Sequence, residues 1–320
     1  MIARRLVMSV PLAMAGIAAA RATRSDDRRL GALVLTDRAE ELLRAHLLPE
    51  LSRRGWRAGE NLALEVRVAA AAGQAEAAAA LVATAPDLIV AVGAPAVRAA
   101  RAATARIPIV MHGADARLLA GTSMARPGGN ATGVVANTPE AEAKRIEMAV
   151  ELSPPGAPVG ALFPVGTDML EDRLAAMAEA ASRAGRTLVV AQWDGPAAVA
   201  EAAAALAGRG VRAVALGGTP EALRDAAAIA RAAGGAGMAS IGQWRSMVEA
   251  GCTASHGPDF HFLYARVAHF VALILRGTPP GELPIEAPAR VETVINLREA
   301  AALGLPVPVS LLARADEVIE

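Results

Sequence analysis

From Arg29 onward, short apolar runs alternate with alanine-rich helical stretches. That alternation specifies a parallel sheet flanked by helices. Leu30 to Leu35 reads as the first strand. Arg38 to Arg54 reads as the first helix, with Leu42, Leu43, Leu47, Leu48 and Leu51 as its apolar positions and Gly55 as its stop. Pro49 lies inside this helix and predicts a kink or an early end, because proline removes a backbone donor. Leu62 to Val68 alternates strictly and is a strand, and Gln74 to Ala83 is a helix. Asp87 to Val92 is a third strand that turns through Gly93-Ala94-Pro95 into another helix, and Ile107 to Met111 is a fourth strand.

The same series then recurs. Strands are expected over Pro158 to Phe163, Thr187 to Gln192, Val211 to Leu216 and Met238 to Gln243, with helices over Met169 to Ala184, Pro196 to Ala207 and Pro220 to Ala233. Corresponding strands lie roughly 125–130 residues apart, an internal repeat of supersecondary order. Two similar α/β lobes follow, with the break near Val134 to Asn137, ahead of a helix over Glu140 to Leu152. The C-terminal part fits neither copy: a helix from Phe262 to Leu275, a loop at Pro279-Pro280-Gly281, a strand over Val291 to Asn296 and a helix over Leu297 to Leu303.

Between the two copies runs Ile107 to Thr138. A strand ends in a loop containing Asp115, the turn Arg126-Pro127-Gly128-Gly129-Asn130 follows, and Thr132-Gly133-Val134-Val135 restarts an extended run. The order of strand, acidic loop, RPGGNATG and extended run resembles the ABC-transporter substrate-binding proteins of the tryptophan/tyrosine type. Val294-Ile295-Asn296-Leu297, Ala301 to Leu305, the tail Val309 to Glu320, Gln243-Trp244-Arg245 and the run Gly251 to Pro258 extend the resemblance over nearly the whole mature chain. It implies a type I periplasmic binding protein fold: two doubly wound parallel-sheet lobes joined by a multi-strand hinge, with the ligand held between them. Residues 27–136 with about 254–285 would form the first lobe, and 137–253 with about 286–320 the second.

The first residues, MIARRLVMSVPLAMAGIAAARA, place Arg4 and Arg5 before an apolar run and end in the small-x-small pattern Ala20-Arg21-Ala22. This is the design of a secretory signal peptide cut near Ala22, and it predicts a periplasmic protein. Arg4-Arg5 fits either the general or the twin-arginine export route. The apolar run is shorter than the ~20 residues a membrane-spanning helix needs. Lysine plus arginine balance aspartate plus glutamate at 32 each, which leaves no basic footprint for nucleic acid. Cys252 is the single cysteine, so no internal disulfide forms. With aromatics at 2% of residues, a ligand cage built mainly from stacked rings is not expected.

Open parallel sheets bind ligands beyond the carboxyl ends of their strands, where helix N-termini offer unpaired N–H groups. The candidate contacts are therefore Thr36, Asp37, Gly93, Ala94, Pro95, Gly113 and Asp115 in the first lobe. Thr138 stands where the stretch between the copies ends, and Thr167, Asp168, Gly217, Thr219 and Gln243 belong to the second lobe. Thr36, Thr167 and Thr219 also stand where hydroxyls cap helices. The resemblance implies an aspartate at Asp115, a fit partner for a ligand ammonium. A carboxylate could be taken by helix N-termini or by Arg245. This chain departs from the family's pattern at Leu35-Thr36-Asp37, at Asp115-Ala116 and over Phe163 to Asp168, so the ligand of the resembling proteins does not transfer.

No catalytic constellation emerges. The five histidines lack metal-ligand spacing, and neither a G-x-S-x-G elbow, a Walker A loop nor a G-x-G-x-x-G turn after a strand occurs. No cofactor and no metal are expected. The reading is a monomeric solute-binding protein that closes around a small polar molecule, an amino acid or a related compound, and delivers it to an ABC permease in the inner membrane. A ligand-sensing receptor subunit of the same fold and a periplasmic enzyme on a two-lobed scaffold are the alternatives.

Overall fold

The structure, a computed structural model, describes residues 27–115, 118 and 123–320. The proposed signal peptide and Ala116 lie outside the described residues. The chain begins β1 (Arg28–Val34), α1 (Asp37–Arg53), β2 (Leu62–Val68), α2 (Gln74–Ala83), β3 (Leu88–Val92), α3 (Ala94–Ala103), β4 (Ile109–Ala114) and β5 (Ala131–Val135). It continues with α4 (Pro139–Glu151), β6 (Val159–Pro164), α5 (Leu170–Arg183), β7 (Leu188–Trp193), α6 (Val199–Gly208), β8 (Ala213–Leu216), α7 (Pro220–Arg224), α8 (Ala226–Gly235), β9 (Ala239–Gly242), α9 (Arg245–Glu249) and β10 (Ala254–Pro258). Last come α10 (Phe260–Leu275), β11 (Ile285–Glu286), β12 (Val291–Asn296), α11 (Leu297–Ala302), α12 (Val309–Leu312) and β13 (Glu317–Ile319).

One sheet has the order β11-β5-β4-β3-β1-β2 and is parallel throughout. The other runs β13-β12-β10-β9-β8-β6-β7, parallel except where β10 meets β12. The five strands of each copy share one order: β2-β1-β3-β4-β5 matches β7-β6-β8-β9-β10. The repeat read from the sequence is thus a repeat of topology, with a switch point between β1 and β3 and another between β6 and β8. Central strands such as β3 and β6 are buried along their whole length, as strands covered by helices on both faces must be. β2 and β7 are edge strands with partly exposed positions, which accounts for the strict alternation of Leu62 to Val68.

The chain crosses between lobes after β5, between β10 and α10, and between β11 and β12. Helix α10 packs on α1 and on β4 and β5 of the first lobe. Residues 254–258, expected with the first lobe, pair instead with β9 and β12 of the second. Ile285 and Glu286 pair with Gly133 and Val134 of the first. The strands β10, β11 and β13 escaped the sequence reading because the first ends in Gly257-Pro258 and the other two are very short.

The RPGGNATG segment works as a joint. Asn130 Nδ2 donates to the carbonyls of Thr104 and Ile107, at 3.1 and 2.8 Å, pinning the turn to the approach to β4. Thr132 Oγ1 lies 3.1 Å from the carbonyl of Leu283 and 2.8 Å from that of Pro284, which holds β11 against β5. Of the kink or early end expected at Pro49, the early end does not occur: α1 continues to Arg53, and the carbonyl of Ala45 that loses its donor belongs to an exposed residue. One helix expectation needs correction. The single helix expected over Pro220 to Ala233 is broken at Asp225. This buried carboxylate accepts from Trp193 Nε1 at 3.0 Å and from Arg224 at 2.7 Å, and it leaves helical geometry.

Candidate ligand-binding cleft

The carboxyl ends of the two sheets face each other across a cleft of about 730 Å³, part of it open to solvent. The first lobe contributes Gly93, Ala94 and Pro95 from the β3–α3 turn, and Gly113, Ala114 and Asp115 from the end of β4. The second contributes Pro164 to Met169 between β6 and α5, Arg173 one turn into α5, and Gly218 to Glu221 at the start of α7; Asn137 comes from the first crossover. Both switch points therefore supply the walls. The loop before α5 is held in unusual backbone: Gly166 has φ +78° and Met169, a non-glycine residue, has φ +54°. Thr167 Oγ1 donates to the Pro164 carbonyl at 2.6 Å and tightens it.

Of the residues expected from the sequence, Gly93, Ala94, Pro95, Gly113, Asp115, Thr167, Asp168 and Thr219 line this cleft. Thr36, Asp37, Thr138, Gly217 and Gln243 do not. The Thr36 and Thr138 hydroxyls accept from Ala39 N and Ala141 N as helix caps away from the cleft, whereas Thr219 caps α7 through Ala222 N and also lines it; Asp37 is an exposed first-turn residue of α1. Gly217 is a packing glycine, since a Cβ there would come within 2.4 Å of the Phe163 ring. Gln243 is fully buried behind Gly218, its Nε2 donating to the Ala136 carbonyl at 3.0 Å. Arg245 also lies elsewhere: it pairs with Glu317 at 2.6 Å and with Glu249.

Asn137, Arg173 and an apolar recess were not anticipated. Asn137 Nδ2 donates to the Gly218 carbonyl at 2.8 Å, tying the crossover to the β8–α7 turn. The recess, behind Gly93, Gly113 and Gly218, is lined by Leu42, Val92, His112, Leu223, Trp244, Phe260, Leu263 and Tyr264. Although aromatics are few, His112 stacks on Tyr264 at 4.2 Å and Trp244 on Phe260 at 5.2 Å. These rings come from three separate segments, β4, the approach to α9 and α10, and they mostly pack on one another. Burial pushes His112 down to about 4, so the imidazole is neutral near pH 7. Its two ring nitrogens and Trp244 Nε1 have no hydrogen-bond partner among the described residues. Among those residues no group of three or more His, Cys, Asp or Glu converges as a metal site.

Two open parallel sheets of one strand order, hinged by repeated crossovers around a cleft at their carboxyl ends, define a two-lobed solute-binding protein of the type I periplasmic class. Residues 41–319 match the family described as ABC transporter substrate binding protein, and the chain belongs to that family. A conserved domain protein from Vibrio cholerae O1 biovar El Tor superposes with a TM-score of 0.84 at 26% identity, over 92% of this chain and 99% of that one. A Streptococcus pneumoniae ABC domain in complex with L-Trp gives 0.82 at 22% identity, over 92% of this chain and 100% of that one. A Clostridium difficile substrate-binding protein with adhesive properties, in its ligand-free, open form, gives 0.65 at 20% identity, over 91% and 99% of the two chains. No curated protein matches the chain in sequence.

Proposed function

We propose that the chain is the extracytoplasmic solute-binding protein of an ABC importer. It is a monomer that closes its lobes around a small polar ligand, an amino acid or a related compound, and presents the closed form to an inner-membrane permease. The observation that carries this reading is that loops at the carboxyl ends of both sheets converge on one cleft. Only a ligand touching both walls can then favour the closed state over the open one. Asp115 on the first lobe and Arg173 on the second give the cleft an acidic and a basic group, suited to a zwitterion. The apolar recess beside them suits a ligand with an apolar side group. The N-terminal run ending at Ala22 supplies export, and among the described residues no helix is long and apolar enough to cross a membrane.

The test is a thermal-shift screen of residues 23–320 against amino acids, small carboxylates, purines and sugars, because a ligand that binds only the folded protein raises its melting temperature. A shift confined to one class, reduced in Asp115→Ala, is the expected result. No shift with any class would count against solute binding, and chemical turnover of a stabilising compound would move the reading to an enzyme.

A further inference from the structure

The second-lobe wall of the cleft holds a charge imbalance. Glu142 of α4 lies between two guanidinium groups: Arg173 Nε donates to its Oε1 at 2.6 Å, Arg173 Nη2 contacts the same oxygen, and Arg145 Nη2 is 3.6 Å from it. All three side chains are at least nine-tenths buried, at 2%, 9% and 0% exposure for Glu142, Arg173 and Arg145. Two cations thus share one carboxylate. The neighbouring His256 offers no compensation, since its carbonyl accepts from Arg145 Nη1 at 3.1 Å and its imidazole is neutral, pushed down to about 4 by burial. Burial also brings Arg145 down to about 10, which still leaves it charged near pH 7. A buried charge without its own counter-ion is costly, and a ligand that supplies one is favoured.

Arg173 is the member of this cluster that reaches the cleft. Its guanidinium carbon lies 4.8 Å from the centroid of the Phe163 ring, and its Nε edge is taken by Glu142. Orientation is therefore fixed from two sides, while Nη2 has no hydrogen-bond partner among the described residues beyond its ion-pair contact with Glu142. Asp168 on the cleft wall is paired with Arg98 of the opposite lobe.

We propose that Arg173 is the anchor for a carboxylate of the ligand, held in place by the Glu142–Arg145 pair behind it. This rests on the solute-binding reading above and narrows it to anionic or zwitterionic small carboxylates. A planar guanidinium with one edge fixed matches a carboxylate in a way that a neutral amide does not.

The experiment titrates the mature protein calorimetrically with α-amino acids and other small carboxylates, each beside its primary amide, with neutral sugars and purines as a third set. At least one carboxylate is expected to bind with its amide at least ~10-fold weaker, the scale of a charged hydrogen bond. Arg173→Gln leaves Glu142 and Arg145 as a balanced pair, so the variant is expected to fold and to lose that discrimination. Arg173→Lys keeps the charge and is expected to keep the preference for carboxylate over amide at reduced affinity, a pattern that a merely structural arginine would not give. The proposal is overturned if amides bind as tightly as acids, if Arg173→Gln binds like wild type, or if Arg173→Lys folds yet shows no preference. Binding of only sugars or purines would overturn it while leaving the solute-binding reading intact. Binding of nothing in the three sets would remove both.

Discussion

Arg98 of α3 and Asp168 of the β6–α5 loop form an ion pair across the mouth of the cleft, joining the two lobes directly. The Arg98 side chain is 51% exposed and that of Asp168 17%, so solvent screens the pair and its worth is about 0.2–1 kcal/mol. That is small for stability but sizeable for a hinge. Arg98→Ala is expected to shift the open-to-closed ratio of the ligand-free protein by up to about fivefold while leaving its melting temperature nearly unchanged. Energy transfer between dyes on one engineered surface cysteine per lobe would measure this. The native Cys252 does not interfere, since it is fully buried and burial pushes its thiol up to about 12. An unchanged distance distribution would make the pair a passive contact.

Gly218 is where the crossover and the second lobe touch. A Cβ at this position would lie 1.3 Å from Gln243 Oε1 and 2.4 Å from Asn137 Oδ1. Both amides are already committed, Gln243 Nε2 to the Ala136 carbonyl and Asn137 Nδ2 to the Gly218 carbonyl, so neither can move without breaking a bond to the hinge. Gly218→Ala is expected to cost roughly 1–3 kcal/mol in urea melts. Gln243→Ala removes the nearer obstacle, so the double variant should be less destabilised than the sum of the two single ones. Simple additivity would mean that the clash is relieved elsewhere.

Much of this architecture is legible in the sequence because local pattern and topology agree. Apolar strands such as Leu88–Val92, glycine-proline turns such as Gly93-Ala94-Pro95 and threonine caps before helices each leave a short-range mark. The repeat adds a long-range one, since two copies of one strand order must fold into similar lobes. The cleft was legible as far as its loops, for the same reason. Arg173 was not, because one arginine a turn inside a helix looks like a solvated charge until Glu142 and Arg145 arrive from another helix. The His112–Tyr264 and Trp244–Phe260 stacks likewise depend on α10 crossing back to the first lobe, which no local pattern announces. The caps at Thr36 and Thr138 show the converse limit: the residue type fits both a cap and a contact, and only the fold assigns it.

His112 makes the fold sensitive to acid. Its folded value is about 4 against 6.5 for the free side chain, so below pH 6.5 the unfolded chain binds more protons than the native one. Stability is therefore lost as pH falls from about 6.5 to about 4, by roughly 3 kcal/mol for this one group, and the loss levels off below that. His256, also brought down to about 4, contributes in the same window. His112→Phe keeps a ring against Tyr264 and removes the proton site. Its denaturation midpoint should fall less than wild type between pH 6.5 and 4, and parallel curves would show that His112 does not titrate as its burial dictates.

The glycines of the RPGGNATG segment are needed for different reasons, and substitution should separate them. Gly129 has φ +64° and nothing within 4 Å of where a Cβ would sit, so only backbone strain opposes alanine. Gly133 has φ +148° inside β5, and a Cβ there would come within 2.2 Å of the Met111 carbonyl oxygen and 2.6 Å of the Met111 nitrogen on the neighbouring strand. Backbone cannot step aside as a side chain can, because Met111 is held in β4 between β3 and β5. Gly129→Ala is expected to cost about 1–2 kcal/mol, the ordinary penalty of a left-handed alanine. Gly133→Ala should cost about 3 kcal/mol or more, or prevent folding, because it forces β4 and β5 apart where β11 also joins. Urea melts of the two variants give the ordering, and equal losses would contradict it.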